Sequence, residues 1–253
     1  MADFVAPPSG RSLVARVLAL SLASGCATAA LAGPPRQVED AGVLNRGACE
    51  FEAYTASLRG ADGDAREQML QTGCGIGVRS QLALAAARSR SGGESASLLQ
   101  LGGKTRLWVA GGDAQPDHLP MLTLAYALGW GREANRVWRH SATALNLVYS
   151  TPLGSGPDTP LTLHANLGHA REKTGSVRRS TTWALALEHA GHGRLAPMAE
   201  LFGDDRDGAW WNLGIRATAR PDNAYVDLSY GRKLGSSSER LVTLGLKVVF
   251  GAE

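Results

Sequence analysis

The sequence predicts an all-β protein, an antiparallel up-and-down β-barrel of about ten strands that crosses a membrane. The first observation is residues 240–250, where Leu244 and Leu246 fall on one face of an extended chain and Thr243 and Lys247 on the other. The second is that this alternation recurs along the chain between residues rich in turn formers. The third is an amino-terminal stretch typical of exported proteins. Together they favour strands that are apolar toward lipid and polar toward a lumen.

Bulk composition limits the alternatives. The chain has 253 residues, 44% of them hydrophobic, with 31 glycines and a formal net charge of +3. This length suits one large all-β domain or two ordinary ones. The basic residues are scattered and the net charge is small, so we expect no nucleic-acid partner. No apolar run of 18 residues follows the amino terminus, which argues against a helical membrane protein.

Residues 1–32 have the features of a signal peptide. Arg11 precedes and Arg16 interrupts an apolar stretch from Leu13 to Leu22, and small residues lead to Ala30-Leu31-Ala32. We therefore predict cleavage after Ala32 and export. Lipidation at Cys26 is the second possibility, because Ala23-Ser24-Gly25-Cys26 is close to a lipobox, and a short core helix is the third.

Residues 33–77 are predicted to form a periplasmic leader outside the barrel. Its first part, 33–47, is polar and without a period, which is typical of a mobile segment. Cys49 and Cys74 remain once Cys26 is removed, and an oxidising compartment favours a bond between them over two free thiols. Phe51, Tyr54 and Leu58 have helical spacing, so the clasped part is either a small cap or plug, or a disordered leader.

The barrel is predicted to occupy residues 78–253. Most of its candidate strands alternate between large apolar residues and a face of Gly, Ala, Thr, Asn and charges, which suits a polar barrel interior better than a soluble core. The ten segments are 78–89, 96–109, 119–130, 139–150, 161–169, 181–189, 195–202, 211–219, 224–231 and 240–250.

Connections and aromatic residues support the same topology. With a periplasmic carboxyl terminus, the outer loops before the last, eighth and sixth segments are longer than the turns between them. Aromatic side chains then fall near the two ends of the strands, as in the girdles of membrane barrels. The predicted girdle residues are Trp130, Trp138, Trp183, Trp210, Trp211, Tyr230 and Phe250.

Charged residues in mid-strand form the best-defined candidate site. Folding the chain back at 221–222 places Arg216 opposite Asp227 on the inner face, where they should pair. Glu188, Glu200, Lys104, Arg106 and Lys247 are the other members of this predicted lumen charge network. The network either lines a narrow channel or fills the lumen as an electrostatic plug. We favour the plug, because charges of both signs leave few groups unpaired.

An enzyme at the extracellular rim is the rival class. Asp204, Asp205 and Asp207 lie in one outer loop, and His140 or His169 lies at a comparable height, so an Asp/His pair of a protease or lipid hydrolase is conceivable. A solvated turn is the more ordinary interpretation of three such acids. We predict no catalytic residues, no metal site and no cofactor, since nucleotide-loop and Cys-x-x-Cys motifs do not occur.

The chain resembles bacterial outer-membrane β-barrel proteins. The likeness covers Val78 to Phe250 and rests on the signal, the alternating strands and the Val248-Val249-Phe250 ending. Cys49-Glu-Phe-Glu-Ala-Tyr54, Cys74-Gly-Ile-Gly77 and Gln81-Leu-Ala-Leu-Ala-Ala-Ala87 are similar to a group of uncharacterised proteobacterial barrels. A looser similarity is to putative transporters of phenol-degradation operons.

The resemblance implies a location and a fold. We expect a non-enzymatic outer-membrane barrel, either a narrow solute channel or transporter or a structural barrel, with outer-membrane lipid and the barrel-assembly machinery as partners. A soluble periplasmic β-sandwich is the remaining alternative, because single barrel strands are weak signals. Solute and oligomeric state are not predicted.

Overall fold

A computed structural model describes residues 37–60, 63–77, 79–112, 119–133, 137–154, 161–174, 176–189, 194–220, 223–235 and 239–251. The predicted signal peptide, residues 1–32, lies outside them. None of the described segments is a helix long and apolar enough to cross a membrane.

The described strands close into one antiparallel barrel in which each strand pairs with its neighbours in sequence and β1 pairs with β12. The strands are β1 (Ala48–Gly60), β2 (Gly63–Gly75), β3 (Ser80–Ser91), β4 (Glu94–Val109), β5 (Met121–Glu133), β6 (Arg139–Pro152), β7 (Leu161–Thr174), β8 (Ser176–His189), β9 (Leu195–Asp204), β10 (Gly208–Arg220), β11 (Ala224–Lys233) and β12 (Arg240–Gly251). The prediction of an all-β up-and-down barrel is confirmed, and the soluble sandwich is wrong because a closed barrel leaves no second sheet.

The two extra strands come from the segment predicted to lie outside the barrel. The described barrel has twelve strands instead of about ten, because it begins at Ala48 and β1 and β2 occupy most of residues 48–75. The Cys49–Cys74 disulfide is present, but it links directly opposite residues of β1 and β2. The prediction that it clasps a separate periplasmic leader is therefore wrong.

The wall is polar inside and apolar outside. On β12, Thr243 faces the lumen and is buried, whereas Val242, Leu244 and Leu246 are exposed on the outer surface. A soluble barrel would bury its leucines, so this inside-out arrangement is the pattern of a barrel whose outer face meets lipid.

The two ends of the barrel differ in their connections. We call the end where β1 begins and β12 stops the terminal rim, and the opposite end the distal rim. The longest connection, residues 110–120 between β4 and β5, lies at the terminal rim, as does 153–160 between β6 and β7. The expectation of longer loops away from the termini is wrong, because strands such as β7 and β8 continue through residues assigned to loops.

Candidate functional site: a plugged lumen

The lumen contains the chain's own residues 37–47, which we call the plug. Val38, Glu39 and Ala41 are among the most buried residues of the protein, whereas Asn45 and Arg46 are exposed at the terminal rim. The chain therefore runs into the barrel interior ahead of β1. The prediction of a mobile periplasmic leader over 33–47 is wrong for the described part, because its backbone is bonded to the inner wall.

Among the described residues, hydrogen bonds join the plug to at least seven strands. Most contacts join a wall side chain to a backbone group of the plug. The wall residues are Gly75 (β2), Gln81 (β3), Lys104 (β4), Thr123 (β5), Ser150 (β6), Asn166 (β7) and Glu200 (β9). The backbone groups of an extended segment cannot hydrogen-bond to one another. The wall residues therefore supply the partners that water or a neighbouring strand would otherwise provide.

Lys104 is the centre of the plug's electrostatics. Its Nζ lies in direct ionic contact with the Glu39 carboxylate, 3.7 Å from Asp40 Oδ1 and 3.1 Å from the Asp40 carbonyl oxygen. The same group donates to the Gly42 carbonyl. A buried ammonium needs such compensation, so Lys104 and the two plug acids depend on one another.

Both backbone groups of Ala41 are hydrogen-bonded to the wall. Its N–H donates to Ser150 Oγ at 2.8 Å, and its carbonyl accepts from Thr123 Oγ1 at 2.6 Å. Ala41 also packs in a small apolar cluster with Val109, Met121 and Val148. Ala41 is fully buried at this position.

The inner end of the plug reaches a second apolar cluster. Val38 packs with Phe202 and Trp210, whose rings stack at 6.4 Å between centroids. Glu200 Oε1 accepts from the N–H groups of Gln37 and Val38. Trp210 is therefore an inward, buried residue, and its assignment to the outer aromatic girdle is wrong.

The other predicted girdle residues lie on the outside. Trp130, Trp138, Trp183, Tyr230 and Phe250 are all exposed, and Trp211 meets Tyr230 edge to face at 5.8 Å. Phe250 is at the terminal rim, while the others lie toward the distal half.

The predicted lumen charges all face the interior, but in separate groups. Arg216 forms a two-bond ion pair with Asp227, at 2.8 and 3.0 Å, and its guanidinium lies 5.4 Å from the Tyr225 ring centroid. Lys247 lies between Glu50 and Glu52 of β1, at 2.6 and 3.0 Å. Arg106 is buried on β4 and Glu188 contacts His164.

Several members of the site were not predicted. They are Glu39 and Asp40 of the plug, Glu50 and Glu52 of β1, and the polar partners Gln71, Ser150, His164 and Asn166. The signal for Glu50 and Glu52 was available: two acids alternate with Cys49, Phe51 and Ala53, which is strand spacing.

A Ser–His–Glu chain crosses the wall beneath the plug. Ser150 Oγ lies 2.8 Å from His164 Nδ1, and His164 Nε2 lies 3.3 Å from Glu188 Oε2. The order serine, histidine, acid is that of a hydrolase triad, but the ring nitrogens are exchanged, because in the triad serine bonds to Nε2 and the acid to Nδ1. Ser150 Oγ, however, accepts the Ala41 N–H and so lies near the plane of that amide, whereas a nucleophile must approach a carbonyl carbon from above the plane. In this structure Ser150 therefore binds the Ala41 N–H, and His164 and Glu188 lie behind it.

The proposed hydrolytic pair at the distal rim is not formed. Asp204 Oδ1 accepts from the N–H groups of Arg206 and Asp207, Asp205 accepts from Thr181 N–H, and Asp207 pairs with Lys233. Within the described ranges no hydrogen bond or ion pair joins these aspartates to His140 or His169, and no cluster of metal-ligating side chains is found there.

Glycine at position 75 is required where the plug enters the lumen. A Cβ at Gly75 would lie 2.1 Å from the Asn45 carbonyl oxygen, far inside contact distance. The Gly75 carbonyl also accepts from Gly47 N–H. The absence of a side chain therefore lets the plug pass against the end of β2.

Comparison with known proteins shows which family the chain belongs to. Residues 18–250 match the model of the family described as "Uncharacterised conserved protein UCP029691", and the chain belongs to that family. No curated protein sequence matches it. The looser likeness to phenol-operon transporters stays a prediction.

Among solved structures the chain is similar to outer-membrane barrels. With the KdgM porin it shares 8% identity at a TM-score of 0.52, covering 79% of this chain and 99% of that one. With the NanC porin it shares 11% identity at a TM-score of 0.53, covering 78% of this chain and 98% of that one. With the translocator domain of the autotransporter NalP from Neisseria meningitidis it shares 13% identity at a TM-score of 0.50, covering 83% of this chain and 90% of that one. At such identities the likeness concerns the fold, which is the porin-like outer-membrane barrel.

Proposed function

We propose that this protein is a narrow outer-membrane channel for small polar solutes and that residues 37–47 close its pore. The observation that carries the proposal is the chemistry of the plug contacts. Apart from apolar residues such as Val38 and Ala41, the plug is held by hydrogen bonds and charges, and water or a polar solute can bind the same wall groups once the plug has left. A segment bound in this way is displaceable without unfolding the wall.

Three features support an outer-membrane location. The outer face is apolar, the inner face is polar, and the fold is shared with porins. The predicted signal peptide at 1–32 and the predicted partners, outer-membrane lipid and the barrel-assembly machinery, fit that location. We take the terminal rim as periplasmic and the distal rim as extracellular, the orientation predicted from the sequence, although the longest connections between strands lie at the terminal rim.

The wall chemistry bears on the solute. Once the plug has left, a solute in the lumen meets Lys104, Thr123, Ser150, Asn166 and Glu200, which offer donors, acceptors and both signs of charge. One of the similar porins, KdgM, is known in complex with oligogalacturonate. The mixed lining here favours hydrophilic solutes without a large net charge. Passage of such a solute requires no catalytic step.

A structural barrel is the second candidate, because part of the interior is filled by the wall itself. The Arg216–Asp227 pair and the Lys247–Glu50–Glu52 group belong to the wall and would remain after the plug leaves. A twelve-stranded barrel encloses more space than the eight-stranded barrels that side chains fill completely, but these groups narrow it.

Planar-bilayer conductance distinguishes the two candidates. The chain starting at Gly33 and a variant lacking residues 37–46 are refolded in detergent, and heat-modifiable gel mobility checks that each is a folded barrel. We expect the chain starting at Gly33 to be closed or to open only briefly. The deletion variant should conduct in discrete steps.

A cross-linked variant is the matched control. Ala41→Cys with Ser150→Cys joins the plug to β6, and we expect silence that reductant relieves; the unmodified chain with reductant controls for Cys49–Cys74. A deletion variant that folds and stays silent would overturn the channel and leave the structural barrel.

A further inference from the structure

A groove of about 870 Å³ crosses the outer face of the barrel. It follows the hydrogen-bonding direction from β12 over β1, β2 and β3 to β4. One side is a row of laterally paired apolar residues, Leu246, Ala53, Leu70, Ala86 and Leu99. The two alanines form a low floor between the leucines, so the surface is concave where a barrel is otherwise convex.

The side of the groove nearer the distal rim is basic. The next lateral row contains Arg88 and Arg132, and the row beyond it contains the directly opposite pair Arg66 and Arg90. All four arginines are exposed on the outer face. The Arg132 guanidinium lies 5.0 Å from the ring centroid of Trp138, which closes the end of the groove.

Among the described residues, no carboxylate neutralises this patch. In the described part of the chain none of the four arginines takes part in an ion pair, while Asp64, on the same face, pairs with Arg59 instead. Arg66 and Arg90 face one another across the ladder, where like charges repel. The described part of this patch is therefore net positive and open to an anion.

The depth of the arginines points in the same direction. Arg66 and Arg88 stand three residues inside the ends of their strands, which is roughly 10 Å along the chain. An arginine on the lipid face is costly toward the membrane centre and nearly neutral at the interface. Charges at this position therefore belong at the level of lipid headgroups.

We propose that the groove binds lipid A, the phosphorylated glycolipid anchor of the outer leaflet. Acyl chains lie along Leu246, Leu70 and Leu99, and the phosphates are bound by Arg66, Arg88, Arg90 and Arg132. Guanidinium groups suit phosphates because they bind them with two parallel hydrogen bonds. The inference rests on the proposed orientation, with the distal rim outside, but not on an open lumen.

A second copy of the barrel is the other conceivable occupant. A symmetric contact through this face would bring eight unneutralised arginines together, and the two grooves would face each other without a filling ridge. Charge complementarity thus favours the anionic lipid.

Lipid binding to the refolded full chain in detergent tests the proposal. Bisphosphorylated lipid A and the same lipid without phosphates are titrated as probes. We expect the bisphosphorylated form to bind more tightly by about tenfold or more, because each arginine near a headgroup phosphate adds to affinity.

Three variants locate the site. Replacing Arg66, Arg88, Arg90 and Arg132 by Gln should remove that preference. The matched control, Arg171→Gln with Arg179→Gln, changes an outward pair of opposite residues on β7 and β8 and should leave binding unchanged. Ala53→Leu with Ala86→Leu fills the floor of the groove and should weaken the binding of both lipids. This variant keeps the test available if the fourfold variant fails to fold.

Two results would overturn the proposal. One is equal binding of the two lipids, or no binding, by the unmodified chain. The other is unchanged binding by the fourfold variant or by the groove-filling variant. A lipid-free dimer that the groove-filling variant abolishes would assign the face to a second copy instead.

Discussion

Thr243 and Leu244 are neighbours on β12, yet they obey different rules because they face opposite sides of the wall. Thr243 is 2% exposed in the lumen, and Leu244 is 49% exposed on the outer face. The outer face is specified by hydropathy, so one apolar side chain can replace another there. The inner face is specified mainly by partners, since a buried polar group is stabilised when it meets its complement. Thr243 Oγ1 is one of the described buried atoms that has no hydrogen-bond partner. Substitutions on the two faces should therefore fail for different reasons.

The largest expected effect is on the inner face, at Asp227. Its side chain is fully buried and its loss leaves the Arg216 guanidinium without its counter-charge. We expect Asp227→Ala to lower the free energy of unfolding by about 4 kcal/mol, measured by urea unfolding in lipid vesicles.

Charge reversal sharpens that prediction. If Asp227→Arg combined with Arg216→Asp recovers none of the stability lost in either single variant, the pair does not act as a unit. Val226→Ala, one residue away on the outer face, is the control and should have a much smaller effect.

The disulfide is the exception to a purely hydropathic outer face. Cys49 and Cys74 bond covalently on that side of β1 and β2, with 25 residues of sequence separation. Replacing both by Ser should lower the free energy of unfolding by about 3 kcal/mol, mainly through the less constrained unfolded chain. Reductant should destabilise the unmodified chain by a similar amount and the variant by none.

The loss of stability caused by a charge on the outer face should increase with its depth in the membrane. Leu244 lies near the middle of β12, so Leu244→Arg should cost about 2 kcal/mol or more in vesicles. The same change at Val242, nearer the distal rim, should cost less. Equal costs at the two positions would contradict a lipid-facing surface.

The smallest effect concerns a single plug contact. Thr123→Val removes the hydrogen bond to the Ala41 carbonyl while preserving volume, and it should weaken plug docking by about 1 kcal/mol. The rate of plug release, followed by thiol labelling at position 41, should rise roughly fivefold. An unchanged rate would mean that this bond does not hold the plug.

Alternation and turn positions were enough to predict the closed barrel, its antiparallel order and the inward parity of the charged residues. Folding the chain back at 221–222 gave the register of β10 and β11, and Arg216 lies opposite Asp227 in the structure. These features are local: a period of two and a short turn determine them.

The start of the barrel was missed because two periods compete in the same residues. Phe51, Tyr54 and Leu58 fit helical spacing, while Cys49, Phe51 and Ala53 alternate with Glu50 and Glu52 as a strand. The paired cysteines favoured a separate clasp, although a disulfide between opposite strands satisfies the same chemistry.

The plug could not be predicted from local signals. Residues 37–47 have no period, and their structure comes from partners far along the chain, such as Ser150 for Ala41 and Glu200 for Val38. Trp210 was misassigned for a related reason: it faces inward to pack on Phe202 beside the plug.

The central claim is that residues 37–47 lie inside the barrel, and thiol accessibility tests it most directly. Ala41→Cys, at a fully buried position, and Asn45→Cys, at an exposed one four residues away, are each treated with a bulky water-soluble maleimide in the folded state. We expect rapid labelling at position 45 and labelling at position 41 only after denaturation. Equal rates at the two positions in a folded barrel would contradict the plugged lumen.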